Sequence, residues 1–298
     1  MQQSTERIAI LLAAYNGEKF LREQLQSLYD QTYTDWTLYI GDDGSTDGTA
    51  DIVRDFSERY GNIVFHRNCG YGNIVFHRNC EGKGAMSNFM GLLAEAEADY
   101  YMFCDQDDVW LPHKVETTLR KMREIEAENQ QRPAVVCSDL KVVDKNLQTI
   151  APSFWEMSEM LPDLLASNFN YLGVHFLATG CTMMINAAAK RIAFPYPPCA
   201  FMHDAWLVMK TMKAGGTFGI IGEPLMLYRQ HGGNVLGAGD VNHSSLSYKL
   251  RHFKVLQEQN KKMYALARYF GYGSWLKFIF YKVMYKWQLR KTGRTGMQ

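Results

Sequence analysis

Residues 105–108 read DQDD, so three carboxylates fall within four positions, directly after the apolar run YYMFC. Carboxylates spaced D-x-D at a strand end can both reach one hard divalent cation, Mg2+ or Mn2+, which takes oxygen ligands and bridges to phosphate oxygens. The bland alternative is a capped turn leading into the helical pattern that begins near Leu111. A second acidic stretch, GDDGSTDGT, holds Asp42 and Asp43 in a turn that Gly44 permits. Turn chemistry alone favours Asp and Ser there, while an acidic residue at such a place can also hydrogen-bond the base or ribose of a nucleotide. The first apolar run is followed by YNGEK and not by G-x-G-x-x-G, which argues against a dinucleotide site.

Two acidic turns act together only if the fold brings them to one edge, and the hydrophobic pattern predicts this. Residues 8–14 are an unbroken apolar run, the mark of a strand buried on both faces, and Phe20, Leu21, Leu25 and Leu28 recur at helical spacing over 19–29. A strand over 36–40 leads through GDDGS to a helix over 50–59 with Ile52, Val53 and Phe56 on one face. A helix capped by Ser87 and reaching about Glu97, a strand over 100–104 and a long helix over 111–128 continue the alternation. Later strands are expected at 134–138, 178–185 and within 216–228, with helices starting near Asn186 and His203. Such alternation predicts a mostly parallel sheet with helices on both faces, and ligands then bind outside the carboxyl ends of the strands, where both acidic turns fall.

Hydrophobic residues make up 47% of the 298 and charged residues 21%, with a net charge of +1; this describes a globular protein with a sizeable core and argues against disorder and nucleic-acid binding. IAILLAA is too short for a signal peptide or a membrane span, so a cytoplasmic protein is expected. The cysteines lack metal or disulfide spacing and read as small buried hydrophobes. Residues 60–81 contain YGNIVFHRNC twice in tandem, too few copies for a solenoid. Either copy, as 63–66 or 74–77, can fill the single strand slot after the second helix, which leaves the other as an inserted excursion; His66 and His77, being copies, cannot both be required. The pattern divides softly into 1–240, strands and helices, and 241–298, basic aromatic helices. No Asp or Glu follows Glu258. That region reads either as a membrane-surface element facing anionic lipid or as a helical pair packed on the rest of the chain.

Taken in order, AAYNGEKFLREQLQSLYDQTYTDWTLYIGDDGSTDGT, DQDDVW, HDAW and YRQHGGN resemble the inverting glycosyltransferases of family 2 over about residues 7–240. The resemblance implies a GT-A fold with a C-terminal helical appendage, a nucleotide-diphospho-sugar donor and Mg2+ or Mn2+ as cofactor. The wording DQDDVWLPHK and LYRQHGGNVLG is similar to the bacterial rhamnosyltransferase branch, which implies dTDP-L-rhamnose as donor, with a UDP-sugar as the alternative, and a glycan or lipid-linked acceptor in cell-surface polysaccharide synthesis. Carried over by position, it puts Tyr15, Asn16, Glu18, Asp42, Asp43 and Asp105 around the nucleotide, Asp105, Asp107 and His231 at the metal, and Gln106, Asp108, Trp110, His203, Arg229 and Gln230 along the substrate, Arg229 as a neutraliser of leaving-group charge. Asp204 matches the position of the base that deprotonates the acceptor hydroxyl, although His203 precedes it where the family usually has an acidic residue; a helix N-cap is its structural alternative. A nucleotidyltransferase on a related sheet, or a binding protein that kept the fold and lost activity, are the rival readings.

Overall fold

The computed structural model describes residues 6–60, 74–78, 84–127, 131–231 and 253–292. The first half alternates β1 (Ile8–Ala14), α1 (Leu21–Tyr29), β2 (Trp36–Asp42), α2 (Thr49–Tyr60), β3 (Ile74–Arg78), α3 (Gly84–Glu95) and β4 (Tyr100–Asp105). These four strands pair in parallel in the order β3-β2-β1-β4. Register does the important work, because Ala14 lies beside Asp42 and Ala13 beside Asp105. The first strand therefore ends between the two acidic turns.

After β4 come the short β5 (Val109–Trp110), α4 (Lys114–Glu126), β6 (Ala134–Val143), β7 (Thr149–Ala151), α5 (Phe154–Met157), α6 (Pro162–Ser167) and α7 (Phe169–Leu172). Then follow β8 (Met183–Asn186), α8 (Ala187–Ile192), α9 (His203–Lys213) and β9 (Thr217–Arg229). Here the parallel pattern gives way, since β8 runs antiparallel to both β4 and β6 while β9 is parallel to β6. The two apolar runs within 216–228 form one strand, β9, whose register against β6 shifts near Asp139. Two helix starts also differ from the sequence reading. Ser87 lies inside α3, which starts at Gly84 under a bond from the Asp43 carboxylate, and α4 starts at Lys114.

Alternate residues of each strand serve opposite faces, which is why β1 needs apolar side chains throughout. Ile8, Ile10 and Leu12 join Leu38, Ile40, Met102 and Cys104 under α1, α2 and α4. Ala9 and Leu11 join Tyr101, Phe103, Cys137 and Ile185 under α3, α8 and α9. The last two helices, α10 (Phe253–Tyr269) and α11 (Trp275–Lys291), add Leu266, Phe270, Phe278 and Tyr285 to that second core. Cys104, Cys137 and Cys181 are buried free thiols. No helix among the described residues is long and apolar enough to cross a membrane.

The second copy of the repeat supplies β3, paired from Leu38↔Ile74 to Asp42↔Arg78. The first copy, apart from Tyr60 at the end of α2, lies outside the described residues, as do the stretch after His231 and the boundary near residue 240. Removing residues 61–71 deletes one period and leaves residues 72 and 73 to join α2 to β3, a length of about two residues that αβ connections commonly use. The deletion variant is expected to melt at the same temperature as the parent or higher, because a shorter connection costs less closure entropy. A cooperative transition lost on deletion, read by circular dichroism, would give the extra copy a structural role.

Candidate active site

The loop after β1 and the turn after β2 are laced together. Asn16, in the left-handed region at φ 49°, donates its N–H to Ser45 Oγ at 2.8 Å and accepts from Thr46 N at 2.9 Å through its side chain. Gly17 N donates to Thr49 Oγ1 at 2.8 Å, and Glu18 Oε2 accepts from Gly48 N at 3.1 Å. Asp42, fully buried, folds the turn onto itself, its Oδ1 accepting from the N–H and the hydroxyl of Ser45. Gly44 sits at φ 88°, a conformation that favours glycine. Asp43 Oδ2 accepts from Gly84 N at 2.7 Å at the start of α3. Asn16, Glu18, Asp42 and Asp43 thus tie the loop after β1 to the turn after β2, and the Tyr15 side chain beside them is 58% exposed.

Gln106 joins this loop to the DQDD turn. Its amide accepts from Tyr15 N and donates to Tyr15 O, each at 2.8 Å. A Cβ on Gly17 would meet that amide at 2.3 Å and displace it from Tyr15. Gln106 therefore positions Tyr15.

Within DQDD the carboxylates part company. Asp107 Oδ2 meets His231 Nε2 at 2.7 Å, both side chains being mostly buried, and the His231 ring packs on Phe20 with centroids 4.8 Å apart. Asp108 is fully buried and accepts from Arg229 N at 3.1 Å; His113 holds the N-cap position of α4, so Asp108 is not its cap. Asp105 and Asp108 gather with the Cys181 thiol, ligand atoms within 4.8 Å of one another. Burial first, then Asp107 and Asp204, push the Asp105 carboxyl well up, and burial with Asp107 and Asp105 does the same to Asp108. The same burial pushes the Lys114 ammonium down to about 8. Lys114 donates to Cys181 O at 2.8 Å and lies 4.5 Å from the centre of the Trp110 ring.

This crowding decides which donors suit a divalent cation. Asp107 and His231 offer an oxygen and a nitrogen beside Asp105; the carboxylate oxygen suits Mg2+ or Mn2+, and the imidazole nitrogen suits Mn2+ better than the oxygen-preferring Mg2+. The Asp105, Asp108 and Cys181 group suits neither, because burial pushes the thiol well up and an ammonium is already seated beside it.

Three expectations are corrected by burial. Arg229 is 1% exposed and its donors are taken: Nε by Asp107 O at 2.8 Å, Nη1 by Lys145 O at 2.9 Å and Nη2 by the Glu23 carboxylate, with Phe20 under the guanidinium at 4.5 Å. It holds the DQDD backbone and does not reach a leaving group. Trp110 is 2% exposed, paired with Met226 across β5 and β9, and lines no sugar pocket. His203 is 2% exposed between Phe89 and Phe103, with ring centroids 4.2 and 4.9 Å away, and burial pushes it down to about 3. It is a neutral core residue. Gln230 is half-buried, its N–H bonded to Val143 O at 2.8 Å.

Asp204 stands in the first turn of α9, whose N-cap is Met202. Its carboxylate accepts from Gly180 N at 3.2 Å and Ala205 N at 2.6 Å, bonds that favour the charged form, yet burial outweighs them and pushes it up to about 6. It faces a narrow crevice lined by Leu172, Phe176, Leu177, Ala178 and Val208.

The sequence profile of glycosyl transferase family 2 matches residues 9–193, more than half of the chain. The chain belongs to this family. It is 28% identical over 262 residues to the dTDP-rhamnosyl transferase RfbG of Shigella flexneri, covering 84% of this chain and 80% of that one. It is 29% identical to an Escherichia coli protein, the UDP-Glc:alpha-D-GlcNAc-diphosphoundecaprenol beta-1,3-glucosyltransferase WfgD, over 39% of this chain and 40% of that relative. Among solved structures, Staphylococcus aureus TarS 1–349 in complex with UDP superposes with a TM-score of 0.53 at 17% identity, over 75% of this chain and 60% of that one. The Pyrobaculum calidifontis mannosyltransferase PcManGT, in complex with GDP-Man and Mn2+, gives 0.53 at 16% over 76% and 57%. These neighbours establish the GT-A fold of this glycosyltransferase.

Several groups that shape the glycosyltransferase site were missed in the sequence. Lys114 reads as one more cation in an amphipathic helix, and Glu23 as a solvated face residue. Cys181 and Gly180 lie in what looks like a plain strand, and the Ser45, Asp47 and Thr49 lacing shows only as generic turn composition. Replacing Arg229 by Lys keeps the charge but loses the fork that reaches two carbonyls and a carboxylate. Arg229→Lys is expected to lower stability by about 1–3 kcal/mol, measured by urea denaturation; an unchanged midpoint would show that these bonds contribute nothing net.

Proposed function

We propose that this glycosyltransferase is an inverting enzyme that moves L-rhamnose from dTDP-L-rhamnose to a hydroxyl of a glycan or lipid-linked acceptor, in the synthesis of a bacterial surface polysaccharide. The observation that carries the reading is the meeting of two devices at one sheet edge: Asp107 paired with His231, and Asp204 close enough to help raise Asp105. The similarity to RfbG over most of both chains supports the donor, and the names of RfbG and WfgD support a nucleotide-sugar reaction in glycan assembly.

The chain's own residues then divide the work. Tyr15 offers an exposed ring to the nucleoside beside the loop and turn tied together by Asn16, Glu18, Asp42 and Asp43. Asp107 and His231, with Asp105 beside them, would hold Mg2+ or Mn2+, which when bound supplies positive charge to the departing diphosphate. Asp204 takes the proton from the acceptor hydroxyl. The freed oxygen attacks the anomeric carbon from the face opposite the diphosphate, the carbon–oxygen bond to the diphosphate breaks, and the configuration inverts. A carboxylate with its affinity for protons raised to about 6 is a stronger base than an exposed one and is still ionised at neutral pH.

Calorimetry with dTDP and UDP, each with and without Mn2+, tests the first half. dTDP is expected to bind more tightly than UDP and only with the metal, and Asp107→Ala to abolish that binding; tighter UDP binding would overturn the rhamnose donor. The second half is read from turnover. Transfer should fall about tenfold per pH unit as Asp204 is protonated below about 6 and level off above it. Asp204→Asn should retain dTDP binding and lose transfer by about 10²–10⁴-fold; a variant that turns over normally would remove Asp204 as the base.

A further inference from the structure

The helix α11 is apolar on two opposite sides. Phe278, Tyr285 and Leu289 are buried against the body of the protein. On the reverse face Leu276, Phe280, Val283 and Trp287 follow one another at i, i+4, i+7 and i+11, with Ile279 beside them. They are respectively 79%, 56%, 60%, 45% and 40% exposed. A helix buried on one side normally turns polar residues to water on the other, and a contiguous exposed apolar stripe marks an interaction surface. Lys277 and Lys286 flank the stripe on either shoulder, and Arg290 and Lys291 close its end, the Lys291 ammonium lying 3.4 Å from the centre of the Trp287 ring.

We propose that the exposed face of α11 docks the protein on an anionic lipid bilayer, with Leu276, Phe280, Val283 and Trp287 entering the interface and the flanking cations meeting the headgroups. Charge selects this occupant. α11 presents Lys277, Lys286, Arg290 and Lys291 beside the stripe and no carboxylate, Lys282 being turned the other way to Asn260, and no acidic residue follows Glu258 anywhere in the sequence. Packing the stripe of one copy on that of another would bring two rows of cations together with nothing to neutralise them. An anionic surface meets the same cations favourably and takes the aliphatic and indole groups into its boundary region, where Trp and the long cationic side chains are at home.

The stripe is also placed to matter. The buried face of α11 packs on α7, with Tyr281 and Tyr171 centroids 5.3 Å apart, and Tyr285 packs on His175 at 4.8 Å and accepts from Leu161 N at 2.9 Å. Residues 172–178 run on from α7 into the wall of the crevice at Asp204. A chain docked through α11 is thus joined to the crevice at Asp204 through the packing of its buried face on α7. The docking itself stands on α11 alone and does not depend on the donor or on the base.

The test is co-sedimentation of the full chain with vesicles of phosphatidylglycerol and phosphatidylcholine, against vesicles of phosphatidylcholine only. Binding is expected to the anionic vesicles and to weaken at high salt. A triple variant, Leu276→Ser with Phe280→Ser and Val283→Ser, should bind about tenfold or more weakly, and so should Lys277→Gln with Lys286→Gln and Arg290→Gln. An unchanged circular dichroism spectrum and thermal midpoint in both variants report that each is folded, a control that holds whatever the fate of the catalytic reading. Absence of wild-type binding, equal binding by the apolar variant, or a dimer in light scattering that the apolar variant dissolves would each overturn the proposal.

Discussion

Arg229 is a guanidinium at 1% exposure, and a cation so placed would cost several kcal/mol if its donors were not met. They are met by the carbonyls of Asp107 and Lys145 and by the Glu23 carboxylate, with the face of Phe20 beneath. Because one acceptor is the peptide of Asp107 itself, the bond fixes the backbone from which that carboxylate projects. The N–H of Arg229 holds the next carboxylate, Asp108, in the same grip. Two residues further along the chain, His231 reaches Asp107 and packs on the other contact of the guanidinium, Phe20. The end of β9 thus delivers the imidazole and the frame that aims its partner at the end of β4.

Electrostatics explains why so much structure is spent here. Burial pushes the Asp105 and Asp108 carboxyls up and the Lys114 ammonium down, opposite shifts with one cause, the loss of water around a charge. One ammonium faces three carboxylates in this recess, so the ionised site holds excess negative charge that either protons or an added cation must balance. The raised proton affinity of Asp105 and Asp108 is how the protein alone lowers that excess.

What could be read in advance followed from backbone periodicity. The continuous apolar runs over β1 and β4 showed strands buried on both sides, and parallel pairing then forced the GDDGS and DQDD turns to one edge, as the register of Ala14 with Asp42 and Ala13 with Asp105 bears out. Side-chain destinations were not legible in that way. His203, Trp110 and Arg229 are polar or amphipathic residues beside motif positions, and whether each turns toward substrate or core depends on partners from distant segments: Phe89 and Phe103, Met226, Glu23 and Lys145. The antiparallel entry of β8 was hidden because a buried strand has the same composition in either direction. For the repeat, composition could not choose between identical copies, and pairing with β2 singles out the second.

The C-terminal helices look from sequence like an appendage, yet they pack behind the crevice at Asp204. Tyr272 donates to Asn170 O at 2.6 Å within α7, and Tyr285 accepts the N–H of Leu161 just ahead of α6. Phe278, Tyr285 and Leu289 lie in the same core as Leu172, Leu177 and Val208, which wall the crevice at Asp204. That apolar wall is what holds water away from the carboxylate and overcomes the two N–H bonds that would otherwise keep its affinity for protons low. The raised basicity of Asp204 is therefore a property of packing that includes α7 and, behind it, α10 and α11. Loosening α10 or α11 would let water into the crevice and make the carboxylate a weaker base, although neither of these two helices lines the crevice itself.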